Sequence, residues 1–383
     1  MRFWGITGTN GKTTTTWVLA EFLNAAQGRR CGYITTVEVF DGKSRFYTGY
    51  TTPPEKKLRE IYAAMEANGC TDCAMEVSSH AIHQNRVGFG TTTVFSGGAF
   101  TNISEDHLDY HKTMEEYFRV KLDFARRIAE CAGAPPPSAG RRDFPPYVVC
   151  MDGDGADDML REVGRLPLNA LPVTIVNPSF DLTGLQLAGD YNKSNVLVAA
   201  TLAEAAGVPH DDIERVIPTL RPRWGRLEKV ENGDCAADVY VDFAHTPDGI
   251  DKVLRAARGF TPSGAKLWIV FGAGGDRDPM KRPLMGEAAA KFADRVVVTS
   301  DNPRSESPEA IMAAIMGGVR RVRPSAEGVV AISDRREAIG FALANAAQGD
   351  VVLVCGKGHE TTQEIAGVKH PFDDREVVRY WRR

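Results

Sequence analysis

Short apolar runs alternate with amphipathic stretches along most of the chain, the pattern of a largely parallel sheet covered by helices. Phe3–Thr7 predicts a buried strand, and Lys12–Ala26 a helix with Trp17, Leu19, Phe22 and Leu23 facing inward. Val37–Phe40 and Arg45–Tyr50 flank Asp41-Gly42, a hairpin signal, and Ala74–Val77 and Thr93–Phe95 predict further buried strands. Met114–Glu130 has a helical period. Residues 133–146 are rich in proline, glycine and arginine and cannot continue a helix or a central strand, so a surface loop is expected there. Arg221–Gly225 (Arg-Pro-Arg-Trp-Gly) interrupts the pattern. The alternation restarts after it with Val239–Phe243, Leu267–Phe271, Val296–Thr299, Val329–Ile332 and Val351–Cys355. The expected fold class is α/β, in two domains over 1–223 and 224–383.

Composition removes several function classes. The net charge is −4 with mixed signs, so there is no basic footprint and no nucleic-acid partner is expected. No apolar run approaches the ~20 residues of a membrane span, which argues against membrane insertion. Met1-Arg2-Phe3-Trp4 leads straight into the first strand without a secretory leader, and seven scattered cysteines suit a reducing compartment. A cytoplasmic location is therefore expected. Cys70 and Cys73 form one C-x-x-C with no second pair, which reads as a helix end followed by a buried strand.

The chemistry begins at Thr7-Gly8-Thr9-Asn10-Gly11-Lys12-Thr13-Thr14, between the first strand and the first helix. Small residues let backbone N–H groups approach phosphate oxygens, and the helix N-terminus adds the positive end of its dipole. In such a loop Lys12 reaches the β- and γ-phosphates and the Thr13 hydroxyl ligates Mg²⁺. The strict phosphate-loop pattern wants glycine at position 6, where this chain has Ile6.

That departure resembles the form of the loop in Mur ligases and their folylpolyglutamate synthetase relatives. Further motifs resemble the Mur ligases that add the third peptide residue to a cell-wall precursor. They are Met75-Glu76-Val77-Ser78-Ser79-His80, Gln84-Asn85-Arg86-Val87, Phe100-Thr101-Asn102-Ile103-Ser104 and Asp106-His107-Leu108-Asp109-Tyr110-His111. Beyond these come Gly225-Arg226-Leu227-Glu228, Val241-Asp242-Phe243-Ala244-His245-Thr246-Pro247-Asp248, Gly274-Gly275-Asp276-Arg277-Asp278, Asp301-Asn302-Pro303-Arg304 and Gly356-Lys357-Gly358-His359-Glu360. The resemblance implies a P-loop mononucleotide-binding central domain that binds ATP over 1–223, a Rossmann-like C-terminal ligase domain over 224–383, and amide-bond formation through an acyl phosphate with release of ADP and phosphate. Both steps crowd anionic oxygens together, so the site needs cations more than nucleophilic side chains.

Carried over residue by residue, the resemblance implies ATP contacts from Gly8, Thr9, Asn10, Gly11, Lys12, Thr13 and Thr14. Asn192 and Asn195 would meet the adenine, Asp242 the ribose, and Arg226 would lie near the phosphates. Two Mg²⁺ ions are implied, the first on Thr13 and Glu76 and the second on His107. Lys121 occupies the position of an N6-carboxylysine, so Lys12, Lys121, His107 and Glu76 form the expected catalytic set. From the residues alone, His107 and His111 would be a helix-face pair, Lys121 a solvated lysine, Asn192 a helix N-cap, and Arg86 a surface arginine.

For substrates, Thr51, Thr52, Ser78, Gln84 and Arg86 match positions that hold the peptidyl end of a UDP-muramoyl dipeptide, UDP-MurNAc-L-Ala-D-Glu. A guanidinium at Arg86 suits a carboxylate. Arg277, Asp301, Asn302, Arg304, Gly356 and Glu360 match a site for meso-diaminopimelate, with Arg304 facing the carboxylate that lysine lacks. On its own, Asn-Pro-Arg is only a turn. Members of the family carry a further N-terminal domain that binds UDP, and here the phosphate loop falls within the first dozen residues. The expectation is a chain without that domain, acting as a monomer on small-molecule substrates. A ligase for another carboxylate acceptor and a folylpolyglutamate-synthetase-like enzyme stand as alternatives.

Overall fold

The computed structural model describes residues 1–88, 90–131, 140–231 and 234–382. The chain divides into two compact units, one of Met1–Ser104 with His111–Leu220, the other of Glu105–Tyr110 with Arg221–Arg383.

The first unit is built on eight strands. These are β1 (Arg2–Thr7), β2 (Cys31–Ile34), β3 (Val39–Phe40), β4 (Arg45–Phe46), β5 (Asp72–Glu76), β6 (Phe95–Phe100), β7 (Pro146–Cys150) and β8 (Asn169–Val173). They lie in the order β4-β3-β2-β5-β1-β6-β7-β8. All pair in parallel except the β3–β4 hairpin, which joins the β2 edge antiparallel. The central strands are buried on both faces, hence the continuous apolar runs.

The predicted hairpin forms but is shorter than Arg45–Tyr50 suggests: pairing ends at Phe46, and the Asp41 carboxylate accepts from Lys43 N and Ser44 N across the turn. The strand expected over Thr93–Phe95 starts two residues later, at Phe95, which pairs with Phe3, and runs on to Phe100. Part of the proline-rich stretch, 133–139, lies outside the described residues. Its end enters β7 at Pro146, the first position of a strand, where a missing N–H is tolerated.

Glycines in β1 and β6 set how closely the helix Met114–Cys131 packs on this sheet. A Cβ on Gly5 would overlap the Phe124 ring, and one on Gly98 would stand 2.7 Å from Ile128 and 2.9 Å from Phe124. The helix therefore rests on backbone, and Phe124 and Ile128 are wholly buried there.

The second unit has β9 (Glu228–Val230), β10 (Asp238–Asp242), β11 (Leu267–Phe271), β12 (Arg295–Val298), β13 (Val329–Ala331) and β14 (Val351–Cys355) in the order β13-β12-β11-β14-β10-β9. Only β9 is antiparallel. An outlying hairpin joins β15 (Thr362–Ile365) to β16 (Val368–Pro371). The helices Pro247–Phe260 and Pro308–Val322 start with proline behind side-chain caps from Thr246 and Ser307, and Asp334 caps Arg335–Asn345 in the same way. Under this sheet Arg335 is completely buried and donates to both oxygens of Asp374, also fully buried, and to Ser300 O and Cys355 O. No periodicity pointed to that pair.

Candidate functional site

In each unit the candidate residues collect at the carboxyl ends of the parallel strands, where open α/β sheets bind ligands. In the first unit three ends converge. β1 runs into the phosphate loop, its neighbour β5 ends at Glu76, and its other neighbour β6 runs into Thr101-Asn102.

The phosphate loop is shaped by those neighbours. Asn102 O accepts from Thr9 N at 2.9 Å, and Asn102 Oδ1 from Asn10 N at 2.9 Å. Thr101 Oγ1 donates to Asn10 O at 2.6 Å. Gly8 has φ 151° and Gly11 φ 85°, and a Cβ on them would overlap Thr101 Oγ1 and Asn195 Oδ1 respectively. The helix Lys12–Ala25 starts at Gly11 with no side-chain cap and no acid in its first turn, which leaves a positive dipole end suited to an anion. Lys12 curls back to donate to Gly8 O at 3.1 Å and Thr9 O at 2.8 Å. Thr13 is buried and Thr14 partly so, both in the first turn of that helix.

Lys121 is 1% exposed, so the reading of it as a solvated surface lysine is wrong. Its Nζ donates to Gly8 O at 2.8 Å and lies 4.3 Å from the centre of the Tyr117 ring. The Tyr117 hydroxyl meets Thr9 Oγ1 at 3.2 Å, and its ring stacks on His111, whose Nε2 lies 2.9 Å from Ser79 Oγ. His107 precedes the short helix Leu108–His111 with φ 56°, so His107 and His111 are not a helix-face pair. His107 instead holds Asp106, backbone N to Oδ1 at 3.0 Å and Nε2 to Oδ2 at 3.4 Å.

Asn192 is not the N-cap of its helix either. Gly189 precedes Asp190–Ala205, and Asn192 lies inside the first turn with Nδ2 donating to Ala188 O at 2.8 Å. Asn195 Oδ1 accepts from Thr15 Oγ1 at 3.3 Å, which places the asparagine against the start of the phosphate-loop helix.

Glu76 is buried, and its two oxygens accept from Thr36 N and Thr36 Oγ1, each at 2.9 Å. From there a polar chain runs through all five residues expected to hold the peptidyl substrate. Thr36 Oγ1, its proton given to Glu76, accepts from Thr51 Oγ1 at 3.0 Å; Thr52 Oγ1 donates to Glu76 O at 2.8 Å and accepts from Ser78 N at 3.0 Å. Arg86 donates to Thr52 O at 2.9 Å and to Gln84 Oε1, and it is partly buried beside Tyr50 rather than loose on the surface.

In the second unit β10 delivers Asp242, whose carboxylate accepts from Leu227 N at 2.6 Å and Ala244 N at 2.7 Å. Burial raises the pKa of Asp242, while the Arg226 charge and those two N–H groups pull it down. Arg226 lies over Phe243, 4.5 Å from the ring centre, and His245 and His359 flank the same ring. Burial, then Lys281, brings His245 down to about 4, and burial, then Arg226, brings His359 down to about 3. Both are neutral imidazoles at neutral pH.

β12 and β14 deliver the other cluster. Asn302 Nδ2 donates to Glu360 Oε2 at 2.8 Å, while its Oδ1 accepts from Lys357 Nζ at 3.1 Å and Glu364 N at 2.9 Å. Arg304 has φ 54° and is bridged to the outlying hairpin at Ile365. Its guanidinium donates to Gly275 O at 2.5 Å and lies 3.7 Å from Glu364 Oε2. Gly356 donates its N–H to Asp242 O at 3.1 Å, and a Cβ there would stand 2.5 Å from Asp301 Oδ2. That buried oxygen meets no hydrogen-bond donor among the described residues. Arg277 is exposed and donates only to Asp276 O at 3.2 Å among the described residues, but it borders Gly274 with Arg304.

Sequence reasoning missed Thr36, Tyr117, Lys357 and Glu364, which hold Glu76, Lys121, Asn302 and Arg304. Lys357 stood inside a motif already singled out, and Tyr117 stands four residues before Lys121 in the same helix, a spacing that brings side chains together; Thr36 and Glu364 carried no local signal, because their contacts cross between elements. Among the described residues no three His, Cys, Asp or Glu side chains gather as a metal cage. Thr13 and Glu76 are oxygen donors of the type Mg²⁺ prefers, and that ion commonly takes few protein ligands and completes its shell with phosphates and water.

Comparison with known proteins agrees with this layout. Residues 6–134 match the Mur ligase middle domain, and residues 225–358 match the glutamate ligase domain of Mur ligases. The chain is 39% identical over 390 residues to a UDP-N-acetylmuramoyl-L-alanyl-D-glutamate–2,6-diaminopimelate ligase of Chlorobaculum tepidum, covering 98% of this chain and 75% of that one. It is 40% identical to the Streptomyces coelicolor enzyme of the same name, covering 98% and 74%. A solved structure of such a ligase is similar with TM-score 0.60 and 32% identity, over 99% of this chain and 77% of that one. Folylpolyglutamate synthase of Mycobacterium tuberculosis, solved with ADP, shares the fold at TM-score 0.64 and 19% identity, over 93% and 87%. With its phosphate loop, its two α/β units and these relatives, the chain belongs to the Mur ligase family and groups with the 2,6-diaminopimelate-adding members.

Proposed function

We propose that this chain joins meso-diaminopimelate to the glutamate carboxylate of UDP-MurNAc-L-Ala-D-Glu at the expense of ATP, in peptidoglycan precursor synthesis. The observation that carries the reading is the pairing of a glycine-shaped phosphate cradle, with Lys12 and Lys121 on it, with an identity near 40% to ligases of that name. Gly8, Thr9, Asn10, Gly11 and Thr14 line the cradle for the ATP phosphates, Asn192 and Asn195 serve the adenine, Asp242 the ribose, and Arg226 the phosphates.

Lys12 and the N-terminus of its helix neutralise charge as the substrate carboxylate attacks the γ-phosphorus and ADP leaves. Thr13 and Glu76 would hold one Mg²⁺ ion, and His107 and a carbamylated Lys121 would serve a second. When bound, the ions supply further positive charge to the phosphoryl oxygens. The chain Thr51, Thr52, Ser78, Gln84 and Arg86 binds the peptidyl end, with Arg86 on a carboxylate. The amine then attacks the acyl carbonyl, loses a proton, and phosphate departs from the tetrahedral intermediate. Arg277, Asp301, Asn302, Arg304, Gly356 and Glu360 position that amino acid.

No helix among the described residues is long and apolar enough to cross a membrane, and the seven thiols form no disulfide among those residues. We take the enzyme to be cytoplasmic and to act as a monomer. The test is ligation followed by mass spectrometry: the 383-residue chain, ATP, Mg²⁺ and UDP-MurNAc-L-Ala-D-Glu, with meso-diaminopimelate or lysine. A tripeptide product with diaminopimelate only is expected. ADP release with neither amine incorporated would overturn the substrate assignment.

A further inference from the structure

We infer that Lys357 sets the charge of the amine-donor site and thereby selects a donor whose far end is a zwitterion over one ending in a bare ammonium. The inference rests on the proposed function, and it assigns a residue that does not itself need to touch the donor.

Lys357 is 0% exposed and follows the carboxyl end of β14. A buried ammonium requires partners, and Lys357 has two in this cluster: Asn302 Oδ1 at 3.1 Å and Glu360 Oε2 at 3.0 Å. Asn302 closes the triangle by donating Nδ2 to Glu360 Oε2 at 2.8 Å. Two consequences follow. The Asn302 amide is fixed in one orientation, because its Oδ1 also accepts from Glu364 N at 2.9 Å. Glu360 Oε2 is committed to Lys357 and Asn302, while the Glu360 side chain remains 34% exposed, so the carboxylate is anchored at one oxygen and open at the other.

The charges in this cluster then balance. Lys357 stands against Glu360 at 3.0 Å, and Arg304 against Glu364 at 3.7 Å. Asp301 beside Gly356 and Arg277 beside Gly274 add one charge of each sign, and a site with no net charge can take an ammonium and a carboxylate together at no net electrostatic cost. A lone ammonium brings an unmatched charge beside a sealed cation, and like charges in a partly buried site repel with little screening. Diaminopimelate ends in the first kind of group and lysine in the second. Arg304 offers attraction to the extra carboxylate; Lys357 adds rejection of the donor that lacks it.

The experiment measures kcat/KM for diaminopimelate and for lysine, and KM for ATP, in the parent chain and in Lys357→Met and Lys357→Gln. The Gln variant keeps a hydrogen-bond donor and loses the charge. Both variants are expected to raise KM for diaminopimelate about tenfold and to reduce the preference for diaminopimelate over lysine by a similar factor. KM for ATP should stay within about twofold. If Lys357→Met fails to fold because Glu360 is stranded, Lys357→Gln, which keeps a donor toward Glu360 and Asn302, carries the test alone. An unchanged preference in the variants, or a loss of ATP and diaminopimelate binding together, overturns the inference. A parent chain that ligates neither amine brings down the proposed function, and this inference with it.

Discussion

Lys121 sits where a lysine is costly: its nitrogen is sealed from water, bonded to Gly8 O at 2.8 Å and set over Tyr117. As an ammonium it holds the phosphate loop; as a carbamate it would present an anion to a metal ion. Lys121→Ala should lower kcat by roughly a hundredfold or more, with partial recovery on adding short carboxylic acids if the carbamate is the working form. Full activity without rescue would remove Lys121 from the catalytic set. The imidazoles of His245 and His359 make a second residue-scale claim. Their pKa values lie near 4 and 3 in the folded chain, against about 6.5 when unfolded. A depressed histidine contributes stability that is complete above pH ~6.5 and is lost as pH falls toward the folded value. Each can therefore steepen acid destabilisation by at most about 1.4 kcal/mol per pH unit between pH ~6.5 and ~4. Urea midpoints at a series of pH values should show that slope in the parent and a shallower one in His359→Gln. Equal slopes would mean that the two imidazoles titrate normally.

At the scale of elements, the helix Met114–Cys131 reaches the phosphate loop only because β1 and β6 offer it backbone at Gly5 and Gly98. Gly98→Val should force that helix off the sheet and cost about 3 kcal/mol through overpacking, read as a lower urea midpoint. Because the same helix carries Lys121, nucleotide affinity should fall with stability; a variant as stable as the parent would show that the helix has room to shift. This dependence marks where the sequence stops being readable. Strands such as Leu267–Phe271 and Val351–Cys355 were legible to the residue, since buried parallel strands are apolar without interruption. The phosphate loop and the Asp301–Arg304 motif were legible because their residues are contiguous. Strand ends shifted where turn chemistry intervened, as at Phe46. Thr36 and Glu364 stayed hidden because each acts on a site residue in another element, and Tyr117, one turn before Lys121 in the same helix, because its hydroxyl meets Thr9 only once that helix packs on the phosphate loop. Arg335 and Asp374 stayed hidden because charged side chains in sequence read as surface, and only the fold makes them a sealed pair.

Taken as a whole molecule, the chain buries a hydrophobic core in each of its two units. One gathers Phe100, Phe124, Tyr117 and Tyr147 beneath the eight-stranded sheet, and the other gathers Val239, Val241, Trp268 and Val354 beneath the six-stranded one. A chain of 383 residues exceeds what one core usually serves, so each unit should carry its own cooperative transition. Scanning calorimetry is expected to give a total enthalpy larger than the van't Hoff enthalpy of a single step. Variants in the two cores assign the transitions. Gly98→Val should lower only the one belonging to the first unit. Arg335→Met strands Asp374 in the second unit, a change worth about 3–5 kcal/mol, and should lower only the other. Mg·ADP at about a hundred times its Kd adds roughly 2.7 kcal/mol to whatever unfolds with its site. If the phosphate loop is the main anchor, that gain appears in the transition that Gly98→Val moves. If both variants shift one common peak by the same amount, the two cores unfold together and stability cannot be assigned unit by unit.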